Sequence, residues 1–159
     1  MNPFSQALLD FHHGEDSASF VIERDDGFSQ RVPVSGFFAK SAFPLLEERA
    51  LSMCEGRVLD VGAAAGRHSL VLVERGYQVT SLDILPEMET ILRARELANV
   101  VISDVFDFSC GGFNTVLMMM NGIGMVGSLE RLERFLEHSH QLTEPDGQIL
   151  CDSIDVSMT

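Results

Sequence analysis

The stretch "VLDVGAAAGRHSL", residues 58–70, decides how this chain folds. Val58, Leu59 and Val61 flank a single acid, Asp60, and the run breaks at Gly62; three alanines lead to Gly66, after which the pattern turns helical. A strand, a tight turn and a helix follow from that order. Such a turn needs glycine where φ is positive or where a ligand approaches the main chain. A helix beginning near Gly66 offers free N–H groups and the positive end of its dipole to an anionic group. The dinucleotide fingerprint G-x-G-x-x-G does not fit, because its register from Gly62 meets Ala64 and Arg67 where glycines belong.

Outward from this stretch, short apolar runs alternate with helical patterns. The runs are "RVLDVG", "YQVTSLD", "NVVISD", "FNTVLMMMN" and "GQILCDSI", beginning at residues 57, 77, 99, 113 and 147, and each is rich in Val, Ile or Leu, as strands buried on both faces are. Between the first two lies "AGRHSLVLVERG", which ends on Gly76 at a C′ position. Between the second and third lies "PEMETILRARELA". There Pro86 suits the first helical position, Glu87 and Glu89 favour the positive dipole end, and Arg93 and Arg95 favour the negative end. "SLERLERFLEHSHQLT" sets Leu129, Leu132, Phe135, Leu136 and Leu142 on one broad face, with Ser128 as its N-cap. The alternation predicts an α/β class, a three-layer, doubly wound parallel sheet with helices on its faces.

Residues 1–55 read differently from residues 56–159. Asp26-Gly27 sits between short runs of strand formers and predicts a hairpin. "SAFPLLEERALSMCEG" predicts a helix with Phe43, Leu46, Ala50 and Met53 on one face. This part is expected to cap the core formed by residues 56–159. Cys54, Cys110 and Cys151 are odd in number and without metal-ligand spacing, so they are expected as reduced, buried, small hydrophobes. No metal site is expected. The five histidines, His68 among them, read as solvated or capping residues, and Met118 to Met120 as a buried strand.

The formal net charge of −13 repels phosphate backbones and anionic lipid surfaces, so nucleic acid and membrane are poor partners. No window approaches the roughly 18 apolar residues of a membrane span, and the N-terminus lacks the pattern of a secretory signal. The expected location is the cytoplasm.

Right-handed crossovers put the carboxyl ends of all parallel strands on one edge, where open α/β sheets bind ligands. At that edge this sequence places Asp60 and Gly62, then Asp83, then Asp104, then Asn121 with Gly122. Asp60, Gly62, Ala64 and Gly66 in this order resemble motif I of the class I S-adenosylmethionine-dependent methyltransferases, with alanine at the middle glycine. The resemblance continues through "VTSLDILPE", "VISDVFDF", "TVLMMMNGIG" and "LTEPDGQIL", covers roughly residues 37–156, and is close to a small bacterial group with "GRHSL" and "NGIG" at these places.

The resemblance implies a Rossmann-like core of strand order 3-2-1-4-5 and S-adenosyl-L-methionine as cofactor. It implies that Asp83 takes the ribose hydroxyls, since an ionised carboxylate only accepts and can take two O–H bonds. Asp104 then accepts from the adenine amino group, the backbone at Val105 reads the ring edge, and Ile84 covers one ring face. Gly62, Ala63 and Gly66 bring main chain to the methionine portion, and Asp60 meets its ammonium. Asn121 positions, and Phe37 and Phe38 cover, a small-molecule methyl acceptor. Displacement from a sulfonium needs alignment above all, and near-attack geometry supplies about 7–11 kcal/mol without an obligatory acid or base.

Three departures from the family pattern accompany this. A positive φ at Ala64 costs roughly 1–2 kcal/mol, and Leu85 stands where an N-cap is usual. The sequence stops shortly after the fifth strand, where the family has two more, so the expectation is a C-terminally truncated member whose strand-five edge is covered, for instance by a second copy in a homodimer. The competing readings are a non-catalytic module that binds the donor, and an NAD-dependent oxidoreductase, which the failed glycine spacing disfavours.

Overall fold

A computed structural model of the chain describes residues 2–153. Five parallel strands form the central sheet: β3 (Arg57–Val61), β4 (Gln78–Asp83), β5 (Val100–Ile102), β6 (Phe113–Met118) and β7 (Thr143–Cys151), in spatial order β5-β4-β3-β6-β7. Counted along the core this is 3-2-1-4-5, the expected order. The register sets Asp60 beside Ser81 and Asp83 beside Ile102, so the strands finish level on one rim. The end of the fifth expected strand, Ile154, lies outside the described residues.

Strand alternation divides the core. Leu59, Val61, Val116 and Met118 face α6 (Leu129–Leu142), where Phe135 and Leu142 are fully buried. Val58, Val79 and Leu117 face the other way, against α3 (Leu45–Met53) and α4 (Arg67–Glu74). Helix α5 (Glu87–Ala94) joins that second layer through Met88, Ile91 and Leu92. Ser128 caps α6, accepting from Arg131 N–H at 3.3 Å, as expected.

The N-terminal segment contributes α1 (Pro3–His12), the hairpin β1 (Ser19–Glu23) and β2 (Ser29–Pro33), and a short α2 (Ser35–Phe38). Helix α1 was not expected from the sequence, although Asn2 followed by Pro3 is a start signal: Asn2 Oδ1 accepts from Ser5 N–H at 2.7 Å and Pro3 opens the first turn. Ala7 and Leu8 share one buried cluster with Ala65, Ile91 and Leu92, so this segment is packed into the core.

Four expectations need correction. In α3 the buried residues are Glu47, Ala50 and Leu51, whereas Leu46 and Met53 are exposed, because the helix turns an acid inward to meet two basic residues of α4. In α6, Leu129 and Leu136 are exposed, and Ser139 takes a buried place instead. Only Cys54 is buried; Cys110 lies in the exposed loop before β6 and Cys151 on the outermost strand. Of the three methionines, Met118 ends β6 in the core, but the chain turns after it and Met120 is exposed with φ 63°.

Gly66 has φ +78°, and a methyl group there would sit 2.7 Å from Leu97 Cδ1 and 2.8 Å from Leu92 Cδ2. Both leucines are buried, so the ends of two packed side chains would have to shift. Backbone strain and overpacking together predict that Gly66→Ala loses about 2–4 kcal/mol, measurable as a urea midpoint shift.

Candidate functional site

One cavity of about 490 Å³ opens along the rim where β3, β4 and β5 end and the chain leaves β6. Its floor is the turn after β3. Gly62 N–H and Ala63 N–H both donate to the Leu82 carbonyl (2.8 and 3.1 Å), which bends the chain sharply away from the strand. Gly62 has φ +74°, and the side it leaves bare is covered only by the flexible tip of Met125, whose Sδ lies 2.5 Å from where a Cβ would stand. Ala64 has φ 48°, so the strain foreseen for an alanine at this position is present.

Asp83 ties this turn to β4. Its Oδ2 accepts from Ala64 N–H at 2.8 Å and its Oδ1 from Leu85 N–H at 2.9 Å, and the Ile84 N–H also favours the ionised carboxylate. Burial raises its carboxyl above the ordinary range, and the charge of Asp60 adds to this, while the backbone N–H bonds pull against it. The second bond also explains the missing N-cap: Pro86 precedes α5 without any side-chain cap, and Asp83 holds the Leu85 amide from outside.

Asp60 is deeper. It is 2% exposed, and its Oδ2 accepts from Ser69 Oγ (2.6 Å), which in turn accepts from Ser81 Oγ (2.7 Å). Burial pushes its carboxyl up, opposed by His68 and Ser69. A raised carboxyl in the fold means that the folded state binds the proton more tightly, so stability falls as pH rises from 3.8 through the folded pKa. Asp60→Asn keeps an acceptor for Ser69 and removes the buried charge. The free protein should therefore gain on the order of 1 kcal/mol near pH 8, and the gap from wild type should shrink on acidification. Thermal melts across pH check this; a gap that widens in acid contradicts it.

Asp104 follows β5, accepts from Phe106 N–H at 3.0 Å, and lines the cavity with Val105, while neighbouring Asp107 is exposed and does not line it. Ile84 and Phe37 also line it. Three expected site residues stand elsewhere. Gly66 does not line the cavity, and the side a Cβ would take is filled by Leu92 and Leu97. Asn121 is exposed beyond the cavity wall, at φ 64°, with its amide against Gly124. Phe38 packs on Phe11 and under the Arg95 guanidinium, because consecutive helical residues project about 100° apart and only Phe37 then lines the cavity.

Several residues on the wall were not foreseen. Phe4 of α1 meets Phe37 edge-on at 5.3 Å, and Met119 and Met120 follow β6 into the cavity. Asp152 stands just behind the wall, accepting from Met120 N–H (3.1 Å) and Gly122 N–H (3.0 Å), and so holds two consecutive left-handed residues in place. The histidine expectation is corrected at His68: it is buried, and its Nε2 lies 2.6 Å from Glu47 Oε2. Arg67 Nη2 reaches the same oxygen at 3.2 Å. The signal was present in "EERALSMCEGRVLDVGAAAGRH", residues 47–68, but nothing along the chain says that these two helices touch. Among the described residues no group of His, Cys, Asp and Glu is arranged to hold a metal ion.

The sequence profile of a family described as a methyltransferase domain matches residues 38–158. The chain belongs to this methyltransferase family. An S-adenosylmethionine-dependent methyltransferase from Bacteroides fragilis, solved with S-adenosyl-L-homocysteine, is similar over 92% of this chain and 62% of its own, with 36% identity and a TM-score of 0.83. The chain thus spans somewhat less than two thirds of that relative. Streptomyces venezuelae DesVI (20% identity, TM-score 0.62, covering 71% of this chain and 51% of its own) shares the fold. So does the glycopeptide N-methyltransferase MtfA, solved with S-adenosyl-L-methionine (22%, 0.57, covering 67% and 51%). No curated protein matches the sequence. In this methyltransferase chain the strand order, the rim acids and the glycine turn all lie within the matched residues.

Proposed function

We propose that this chain carries the donor site of an S-adenosyl-L-methionine-dependent methyltransferase whose acceptor is a small molecule. The single observation that carries the reading is Asp83: a buried carboxylate at the end of the second core strand that lines the cavity and is locked to the glycine turn through the Ala64 N–H. Two O–H groups on adjacent carbons suit it, and Asp104 with Val105 receives the base beyond. Gly62 and Ala63 bring main chain to the methionyl part, and Asp60 accepts from its ammonium, directly or through water. When bound, the sulfonium supplies an electrophilic methyl group. The protein binds, orients and excludes water, with Phe4 and Phe37 forming the roof over the acceptor.

The acid at the second strand also suits a nicotinamide dinucleotide, but the glycine spacing opposes it, and calorimetry with NADH against S-adenosylhomocysteine separates the two. Micromolar affinity for the homocysteine compound, followed by methyl transfer to a metabolite panel, is the expected result. Binding without transfer to any acceptor would favour the non-catalytic module instead.

Among the described residues no helix is long and apolar enough to cross a membrane. Three free cysteines and the net charge of −13 support a cytoplasmic protein that avoids nucleic acid. The outer edge of β7 pairs with no strand in the described residues, which supports its coverage by a second copy or further chain.

A further inference from the structure

We propose that His68, held by Glu47, is the base that takes the proton from the methyl acceptor, and that the acceptor is therefore a protic nucleophile, a hydroxyl or an amine. This rests on the methyl-transfer reading of the same cavity. Donor binding as described above makes no use of His68, Glu47 or Arg67, yet all three are 7% exposed. Burying three ionisable side chains where apolar ones would pack as well is unfavourable to stability alone.

The arrangement immobilises one imidazole. Glu47 Oε2 engages Nε2 at 2.6 Å, and Phe43 stacks against the ring with centroids 5.7 Å apart. The Arg67 guanidinium lies 4.4 Å over the same Phe43 and bonds the Gly36 carbonyl at 2.8 Å, fixing the shared carboxylate from the far side. A carboxylate only accepts, so Nε2 carries the hydrogen and Nδ1 carries the lone pair. His68 lines the cavity, and Nδ1 has no protein partner among the described residues. The charged groups facing the ring are Glu47 from α3, Arg67 beside it on α4 and Asp60 from β3.

The step balances without a further reactant. His68 Nδ1 takes the proton as the acceptor's lone pair forms a bond to the methyl carbon, the carbon–sulfur pair leaves with sulfur as a neutral thioether, and the imidazolium returns its proton to water. Glu47 is a positioning residue here, since it acts only through His68.

The test uses the full chain labelled with ¹⁵N-histidine and saturated with S-adenosylhomocysteine. Long-range ¹H–¹⁵N spectra at pH 8 should show His68 with hydrogen on Nε2 and none on Nδ1, and Glu47→Gln should convert it to a tautomer mixture. Hydrogen on Nδ1, or a tautomer indifferent to Glu47→Gln, overturns the proposal whether or not an acceptor is in hand. With phenols, alcohols and primary amines as probe acceptors, His68→Gln should lower kcat at least ~100-fold while affinity for S-adenosylhomocysteine stays within about threefold. Unchanged turnover with that affinity intact sinks the base and leaves the donor site standing, whereas failure of the wild type to bind S-adenosylhomocysteine sinks the donor reading itself.

Discussion

Asp83→Asn should bind S-adenosylhomocysteine at least ~100-fold more weakly than wild type, because the variant loses charge-assisted bonds that contribute about 1.5–3 kcal/mol each. The substitution is isosteric, yet it cannot be neutral. Both carboxylate oxygens already accept a backbone N–H, from Ala64 and from Leu85. An amide nitrogen must face one of them, donor against donor, whichever way the side chain flips. The turn that carries Gly62 is then loosened at the same stroke as the ribose site, so the loss should appear in both affinity and folding stability. Titration calorimetry paired with urea unfolding reads the two effects separately. Affinity within threefold of wild type would remove the central claim about this cavity.

Glu47→Ala should destabilise the chain by about 3–5 kcal/mol, the usual cost of stranding a buried charge. Its carboxylate is the anion that Arg67 and His68 share, and the Arg67 Nε atom is already buried without a partner. Removing Glu47 leaves the guanidinium with the Gly36 carbonyl as its remaining bond. Replacing Glu47 by leucine and Arg67 by methionine together should recover most of the loss, since no charge is then left stranded. The comparison of single and double variants by chemical denaturation decides whether the network is retained for stability. Recovery in the double variant, with methyl transfer still abolished, is the expected pattern. A single variant as stable as wild type would show that α3 is not tied to α4 through this carboxylate.

Much of the architecture could be read without coordinates, because periodicity and punctuation act locally. Val58 to Leu70 announces a strand, a turn and a helix; Gly76, with φ +90°, ends α4 as expected, and Ser128 opens α6. The rim acids Asp60, Asp83 and Asp104 could be read because strand ends and parallel connection together put them on one edge. Misreadings came where a local pattern had two outcomes. Leu46 and Glu47 are one residue apart on α3, and only the presence of Arg67 and His68 opposite turns the acid inward. Gly66 satisfies two rules at once, ligand approach and close packing, and the leucines at 92 and 97 supply the second.

By itself the sequence determined the class of fold and the set of carboxylates on the rim, since each depends on spacing along one strand or one turn, while the strand order followed from the family resemblance. Tertiary structure alone decided which side chains share the cavity. It brought Phe4 from the first helix to Phe37, Asp152 from the last strand to the turn after β6, and Glu47 to His68, contacts spanning from about twenty to more than thirty residues. The physical reason is that backbone hydrogen bonding and periodic burial are properties of neighbours in the chain, whereas partners for a buried charge are chosen by packing between elements.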